Sequence, residues 1–339
     1  MAIMDHPGER KIHTTPKPRM GGLAFVLSFL LVIIAHIAGI LIFKNSDFIH
    51  QHLPMVTRNL ERFSNVLPKL AVILIGGFLT TLIGLLDDYF RDKFSYKYKF
   101  LAQFAVAALV VSFGVRTEFL PGNLADIVVS MLWIVGMSNS FNLLDNMDGL
   151  TAGVSVISAL LFFVMAFVQQ QVFMAFIFIA FAGSILGFLP YNFKPAKIFM
   201  GDTGSLFIGF MFGVLTLQSS YRIPGSHTLI TVIMPVLILS IPLYDTFSVI
   251  LIRLKEKRPV FIGDKCHFSH RLVNLGFSEK WAVLFIYLIS FCIGIGSLLL
   301  PYTPLWGNIL ILLQAVSIYG LITTLMIVGN QNNFSCGPD

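Results

Sequence analysis

Long apolar runs broken by short polar clusters follow one another from residue 22 to residue 328. Crossing a bilayer core of about 30 Å takes about 20 apolar residues as a helix, and in lipid a segment this continuous satisfies its backbone only as a helix. The pattern predicts ten such helices, over residues 22–43, 70–86, 100–115, 125–141, 151–168, 172–189, 204–217, 228–252, 281–300 and 305–328. The expected fold is therefore an all-α polytopic membrane protein of about ten transmembrane helices, forming a single domain over residues 1–339.

Composition rules out a water-soluble alternative. With 56% hydrophobic residues, 12% charged residues and 33 Phe in 339, the apolar surface exceeds what a soluble core of ordinary proportions can hide. Charge then orients the chain. Counted over alternate loops, seventeen of the twenty-three Lys and Arg fall on the face that carries the N-terminus, which the positive-inside rule makes cytoplasmic. Thirteen of the seventeen Asp and Glu lie on that face too, so it is also expected to be the surface that handles ligands. On this count residues 1–22, residues 253–280 and the tail at 329–339 are cytoplasmic. Cys266, Cys292 and Cys336 are scattered without a CxxC pair, and indicate neither a disulfide framework nor a zinc site.

The polar clusters carry the chemistry. Residues 139–150, Asn-Ser-Phe-Asn-Leu-Leu-Asp-Asn-Met-Asp-Gly-Leu, are expected at the centre of the site. In a helix Asp145 and Asp148 would share a face and call for a cation or a proton between them, with Gly149 as a stop or tight turn. A polar interhelical loop is the plainer alternative. Asp87 and Asp88 close the second helix as a carboxylate pair suited to Mg²⁺ or to proton abstraction. Lys99 is placed either to meet a phosphate or to snorkel. Arg10, Lys11, His13, Lys17 and Arg19 lead into Gly21-Gly22, whose N–H groups at a helix start would add donors for an anion. Asp202 lies between Gly201 and Thr203-Gly204 at another helix start, free to face a metal or phosphate, with Thr203 or Ser205 as the cap. Asp245 sits about two turns inside the eighth helix and needs a partner there. His267, His270 and Arg271 lie in a cation-rich loop that favours anion binding over metal binding.

Together these stretches resemble the polyprenyl-phosphate N-acetylhexosamine-1-phosphate transferases of glycosyltransferase family 4. The resemblance covers almost the whole chain through six motifs in order: the basic loop at 10–22, Asp87-Asp88, residues 139–150, residues 199–205, Pro242 to Asp245-Thr246, and His267 to Leu272. It implies transfer of a sugar 1-phosphate, most simply GlcNAc-1-phosphate, from a UDP-sugar to undecaprenyl phosphate, with release of UMP. The implied ion is Mg²⁺, with Mn²⁺ as the substitute. By the same resemblance Asp202 is the direct metal ligand with Asp145 beside it, and Asp87 and Asp88 orient or deprotonate the lipid phosphate, with a covalent aspartyl-phosphate route open beside direct transfer. Asp145 and Asp148 hold the nucleotide end, and Asn142, Asn192 and Phe199 line the donor pocket. Lys99, Arg10, Lys11, His13, His267, His270 and Arg271 contact phosphate. The implied setting is the bacterial cytoplasmic membrane, multi-pass, with the active site and both termini cytoplasmic. The implied partners are the UDP-sugar, the lipid phosphate and the bilayer, with a homodimer compatible and no nucleic acid.

Two positions depart from the family pattern: Asn146 replaces a glycine and Ser269 a histidine. As a hydroxyl is a weaker donor than imidazole, Ser269→His is expected to keep or raise activity, whereas if the smaller serine makes room for a different donor sugar it should lower activity with that sugar. The chain also begins at the basic loop, where relatives usually have a further helix before it, so either the start is truncated or this member lacks that helix. The histidine loop resembles the UDP-GlcNAc branch more than the phospho-N-acetylmuramoyl-pentapeptide branch, which stays as the alternative within the family. An ion- or proton-coupled transporter would want its carboxylates at mid-membrane and an inverted repeat. A membrane prenyltransferase would want a second aspartate-rich run and has no use for the histidine loop.

Overall fold

The computed structural model describes residues 4–5, 16–43, 54–90, 94–118, 122–221, 228–259 and 267–329. The helices are α1 (Gly21–Phe43), α2 (Pro54–Phe90), α3 (Tyr96–Ser112), α4 (Asn123–Leu144), α5 (Leu150–Val168) and α6 (Val172–Asn192). They continue with α7 (Gly201–Gln218), α8 (Thr228–Ile238), α9 (Ser240–Lys255), α10 (Phe268–Asn274), α11 (Glu279–Ser297) and α12 (Leu305–Gly329). A 3₁₀ turn, Leu300–Tyr302, precedes α12, and one two-residue antiparallel pairing joins Met4–Asp5 (β1) to Lys17–Pro18 (β2). Among the described residues seven helices are long and apolar enough to cross a bilayer. The protein is an all-α polytopic membrane protein.

Nine of the ten apolar runs are single helices. The run at 228–252 is two, because α8 ends at Ile238 and α9 starts at Ser240, with Leu239 between them outside helical geometry (φ −96°, ψ 20°). Pro235 and Pro242 flank the break. Each lacks an N–H and crowds the carbonyl four residues earlier, so two in eight residues interrupt a helix that the apolar pattern alone reads as continuous.

The most enclosed element is α7, in which every residue from Thr203 to Thr216 is buried. It packs against α1, α2 and α4. A helix apolar on all sides belongs inside such a bundle, and aromatic rings fill the space around it. Phe207 lies 5.9 Å from Phe29 and 6.1 Å from Phe181, both edge-on, while Phe212 stacks on Phe141 at 5.0 Å. At the crossing of α1 and α7, a side chain on Gly22 or Gly204 would run into the backbone of the other, so only small residues allow that approach. By contrast α12 is peripheral, with Trp306 and Val316 among its exposed apolar residues. Helices α2, α4 and α6 end, and α3, α5 and α7 begin, at one end of the bundle, where their polar contacts gather.

Candidate active site

At that end Lys99, in the first turn of α3, reaches across to two other helices. Its Nζ donates to Asp87 Oδ2 of α2 at 2.6 Å, to Asp202 Oδ2 of α7 in direct contact, and to Asn142 Oδ1 of α4 at 3.3 Å. Two carboxylates and a carboxamide oxygen thus converge on one cation. Asn142 is held in place by donating through Nδ2 to Ser205 Oγ at 3.0 Å. One turn deeper, Asn139 donates to Gln103 Oε1 at 2.6 Å, continuing the polar seam between α3 and α4.

Asp88, next to Asp87, does something different. Its carboxylate is 3% exposed and accepts from Asp202 N at 3.1 Å, Thr203 N at 2.9 Å and Thr203 Oγ1 at 2.7 Å. It therefore caps α7 from another helix, a position where an anion also meets the positive end of the helix dipole. This corrects the expectation of a local cap: Thr203 lies inside α7, and the Ser205 hydroxyl donates back to Gly201 O. Arg19 stands 3.9 Å from Asp88. Gly201 adopts φ +70°, and a Cβ there would lie 2.6 Å from Asp88 Oδ2, so the turn that delivers Asp202 needs glycine on both counts.

The Asp145 to Gly149 stretch is a turn, not a helix, so Asp145 and Asp148 do not share a helical face. Asp145 ends α4, and burial together with the nearby Asp202 charge pushes its pKa up to about 7. Asp148 points away and accepts from Ala196 N at 2.9 Å, bracing the loop between α6 and α7. Gly149 takes φ +79°, and it is fixed through both its backbone groups. Its N–H donates to Asn192 Oδ1 at 3.1 Å, and its carbonyl accepts from the Tyr287 hydroxyl at 2.5 Å. Asn192 also donates to Ile198 O at 3.1 Å, so the amide expected in the donor pocket ties two loops together. Nothing in the sequence signals Tyr287, which sits in the middle of the apolar run of α11.

Of the N-terminal loop, Arg10, Lys11 and His13 lie outside the described residues. Residues 16–22 clamp onto the start of α7. Phe199 N donates to Pro18 O at 2.9 Å, Gly21 N to Phe199 O at 3.0 Å and Gly22 N to Met200 O at 2.9 Å. The Gly21-Gly22 N–H pair, expected to serve an anion, is committed to carbonyls instead. Lys17 lies 5.0 Å above the Phe199 ring as a cation–π contact.

Asp245, wholly buried in α9, finds its partners across the gap before α10. Oδ2 pairs with His267 Nδ1 at 2.7 Å and Oδ1 accepts from Phe268 N at 2.6 Å. Arg271 donates to Ser248 Oγ of α9 at 2.6 Å, and the His270 ring lies 6.4 Å from that of His267. Ser269 is 1% exposed and donates to Asn146 Oδ1 at 2.5 Å, which joins α10 to the Asp145–Asp148 turn. Ser269→His would have to break that contact, which sets a structural cost against the expectation that it keeps or raises activity.

Among the described residues no three His, Cys, Asp or Glu side chains converge to enclose a metal by themselves. The oxygen set around Lys99 nevertheless fits Mg²⁺, which takes one or two carboxylates and leaves the rest of its octahedron to water and substrate phosphate. Asp145, named with Asp202 as a ligand, is not part of that convergence.

The family model for glycosyl transferase family 4 matches residues 70–220, which hold the Asp87-Asp88 pair, Lys99, the 139–150 stretch and Asp202. A Bacillus subtilis protein described as a probable undecaprenyl-phosphate N-acetylglucosaminyl 1-phosphate transferase is 36% identical over 322 residues, covering 92% of this chain and 81% of that one. A decaprenyl-phosphate N-acetylglucosaminephosphotransferase of Mycobacterium leprae is 30% identical over 356 residues, covering 97% and 84%. A phospho-N-acetylmuramoyl-pentapeptide-transferase of Staphylococcus aureus is 30% identical over 319 residues, covering 87% and 89%. With these relatives aligned along most of its length and the family model lying over the helices that build the site, the chain belongs to glycosyl transferase family 4.

Proposed function

We propose that this protein transfers N-acetylglucosamine 1-phosphate from UDP-N-acetylglucosamine to a polyprenyl phosphate, with Mg²⁺ held by Asp202, Asp87 and Asn142. The observation that carries the reading is the convergence of those three oxygen donors on the Lys99 ammonium. The names of the Bacillus and Mycobacterium relatives support the sugar and the lipid acceptor.

In the reaction an oxygen of the lipid phosphate attacks the β-phosphorus of the donor. The bond from that phosphorus to the bridging oxygen breaks, and UMP leaves with the electron pair. Such transfers depend on positioning and charge neutralisation more than on covalent help. Bound Mg²⁺ would supply a Lewis acid for the phosphate oxygens. Lys99 neutralises a phosphate oxygen, while Asp87 orients the acceptor. His270 and Arg271 donate to the pyrophosphate. Asp88 acts indirectly, by fixing the start of α7 on which Asp202 sits, and Asn192 and Asp148 shape the donor pocket by bracing its loops. The basic residues flanking this end support a cytoplasmic site. A transporter reading is disfavoured, because the carboxylates gather at one end of the bundle.

Purified protein supplied with UDP-N-acetylglucosamine, undecaprenyl phosphate and Mg²⁺ should release UMP. Asp202→Asn should lower kcat by about a hundredfold or more, a loss of about 2.7 kcal/mol in transition-state stabilisation. Full turnover in EDTA, or an Asp202→Asn enzyme within about tenfold of normal, would sink the proposal.

A further inference from the structure

The short helix α10 carries His270 and Arg271, with His267 just before it, yet it is anchored to the rest of the protein from two sides. On one side α9 holds it through Asp245 and Ser248. On the other it meets the turn that follows α4, through Ser269 Oγ donating to Asn146 Oδ1 at 2.5 Å across 123 residues of chain. The Asn146 amide is oriented for this contact, because its Nδ2 donates to Leu143 O at 2.9 Å in the last turn of α4 and so leaves Oδ1 facing α10. Ser269 is 1% exposed, so losing Asn146 strands its buried hydroxyl.

The structure assigns Asn146 and Ser269 to a latch that sets how far the His267–Arg271 segment stands from the Asp145–Asp148 turn. Both are positioning residues for the donor, and they act as one unit. The inference rests on the proposed donor site. The latch holds the His267–Arg271 segment, to which the proposed reading gives the donor pyrophosphate, so it governs the nucleotide-sugar and not the lipid phosphate.

The test is a double-mutant cycle with Ser269→Ala, Asn146→Ala and the pair, measuring UMP release together with hydrogen exchange in the metal-bound, substrate-free protein. Each single variant should raise KM for UDP-N-acetylglucosamine by about tenfold with kcat and the acceptor KM within about twofold, and the pair should be no worse than either single. Multiplying losses, or equal changes in both KM values, would overturn the latch. Hydrogen exchange reads the contact without any substrate. Either single variant should speed exchange in both the 143–150 and 267–275 segments, and acceleration confined to the mutated segment overturns the proposal. If the wild type releases no UMP while exchange in the two segments remains coupled, the donor reading has failed and the latch stands. Ser269→His adds a steric check: alone it should lose more activity than Ser269→Ala, and Asn146→Gly added to it should recover part of that loss by opening the space the amide fills.

Discussion

Asp145 is a carboxyl in a place that disfavours its charge. Burial, and after it the Asp202 carboxylate, raise its pKa from the ordinary 3.8 to about 7. Between those two values the folded protein keeps a proton that the unfolded chain has lost, so stability falls as pH rises through that window and levels off above it. In metal-free protein, melting temperature relative to that of Asp145→Asn should drop by about 3 °C or more between pH 5 and pH 8. A constant difference across that range would show that Asp145 is already ionised in the fold. At this scale the polar residues that the fold gathers at one end were legible in the sequence, because charges at helix ends in an apolar chain are costly and therefore conspicuous. It could not say which oxygen meets which donor. Asp87 and Asp88 look equivalent as a pair, yet one faces Lys99 and the other caps a helix. The demand of Asp245 for a partner was legible, whereas its partner, His267, lies 22 residues on.

Among the elements, α7 depends most on a group it does not own. Three of its bonds at the first turn go to Asp88, at the end of α2. Asp88→Ala should destabilise the protein by about 1–2 kcal/mol and misplace Asp202, while Asp88→Asn, which keeps an acceptor, should cost less. Thermal unfolding in detergent checks the order of the three proteins, and an Asp88→Ala variant as stable as wild type would contradict the capping role. Helix existence was legible from length and hydropathy. The break at Leu239 was not, because proline is tolerated in membrane helices and an apolar run looks the same whether kinked or broken. Nor was the cap, since Thr203 and Ser205 are good local candidates and only tertiary structure brings in Asp88.

The molecule as a whole is a bundle whose lipid-facing helices enclose one helix that meets no lipid, with its chemistry at a single end. The charge count along the chain already pointed to that end, because loops on one face carried both signs. The enclosure of α7 was hidden, as hydropathy does not separate a helix surrounded by protein from one surrounded by lipid.

Lys99, finally, gives the resting protein an internal counter-ion. Metalloproteins whose ligands have nothing else to hold them tend to unravel when the ion is chelated. Here the ammonium already pairs with both Asp87 and Asp202, so taking the ion away leaves no bare pair of negative charges in the bundle. Chelation should therefore silence the protein without loosening it. After EDTA the melting temperature should stay within about 2 °C of the untreated value, and activity should return on adding Mg²⁺ with no refolding step. Replacing Lys99 with Met should remove that protection and make the fold itself sensitive to chelator.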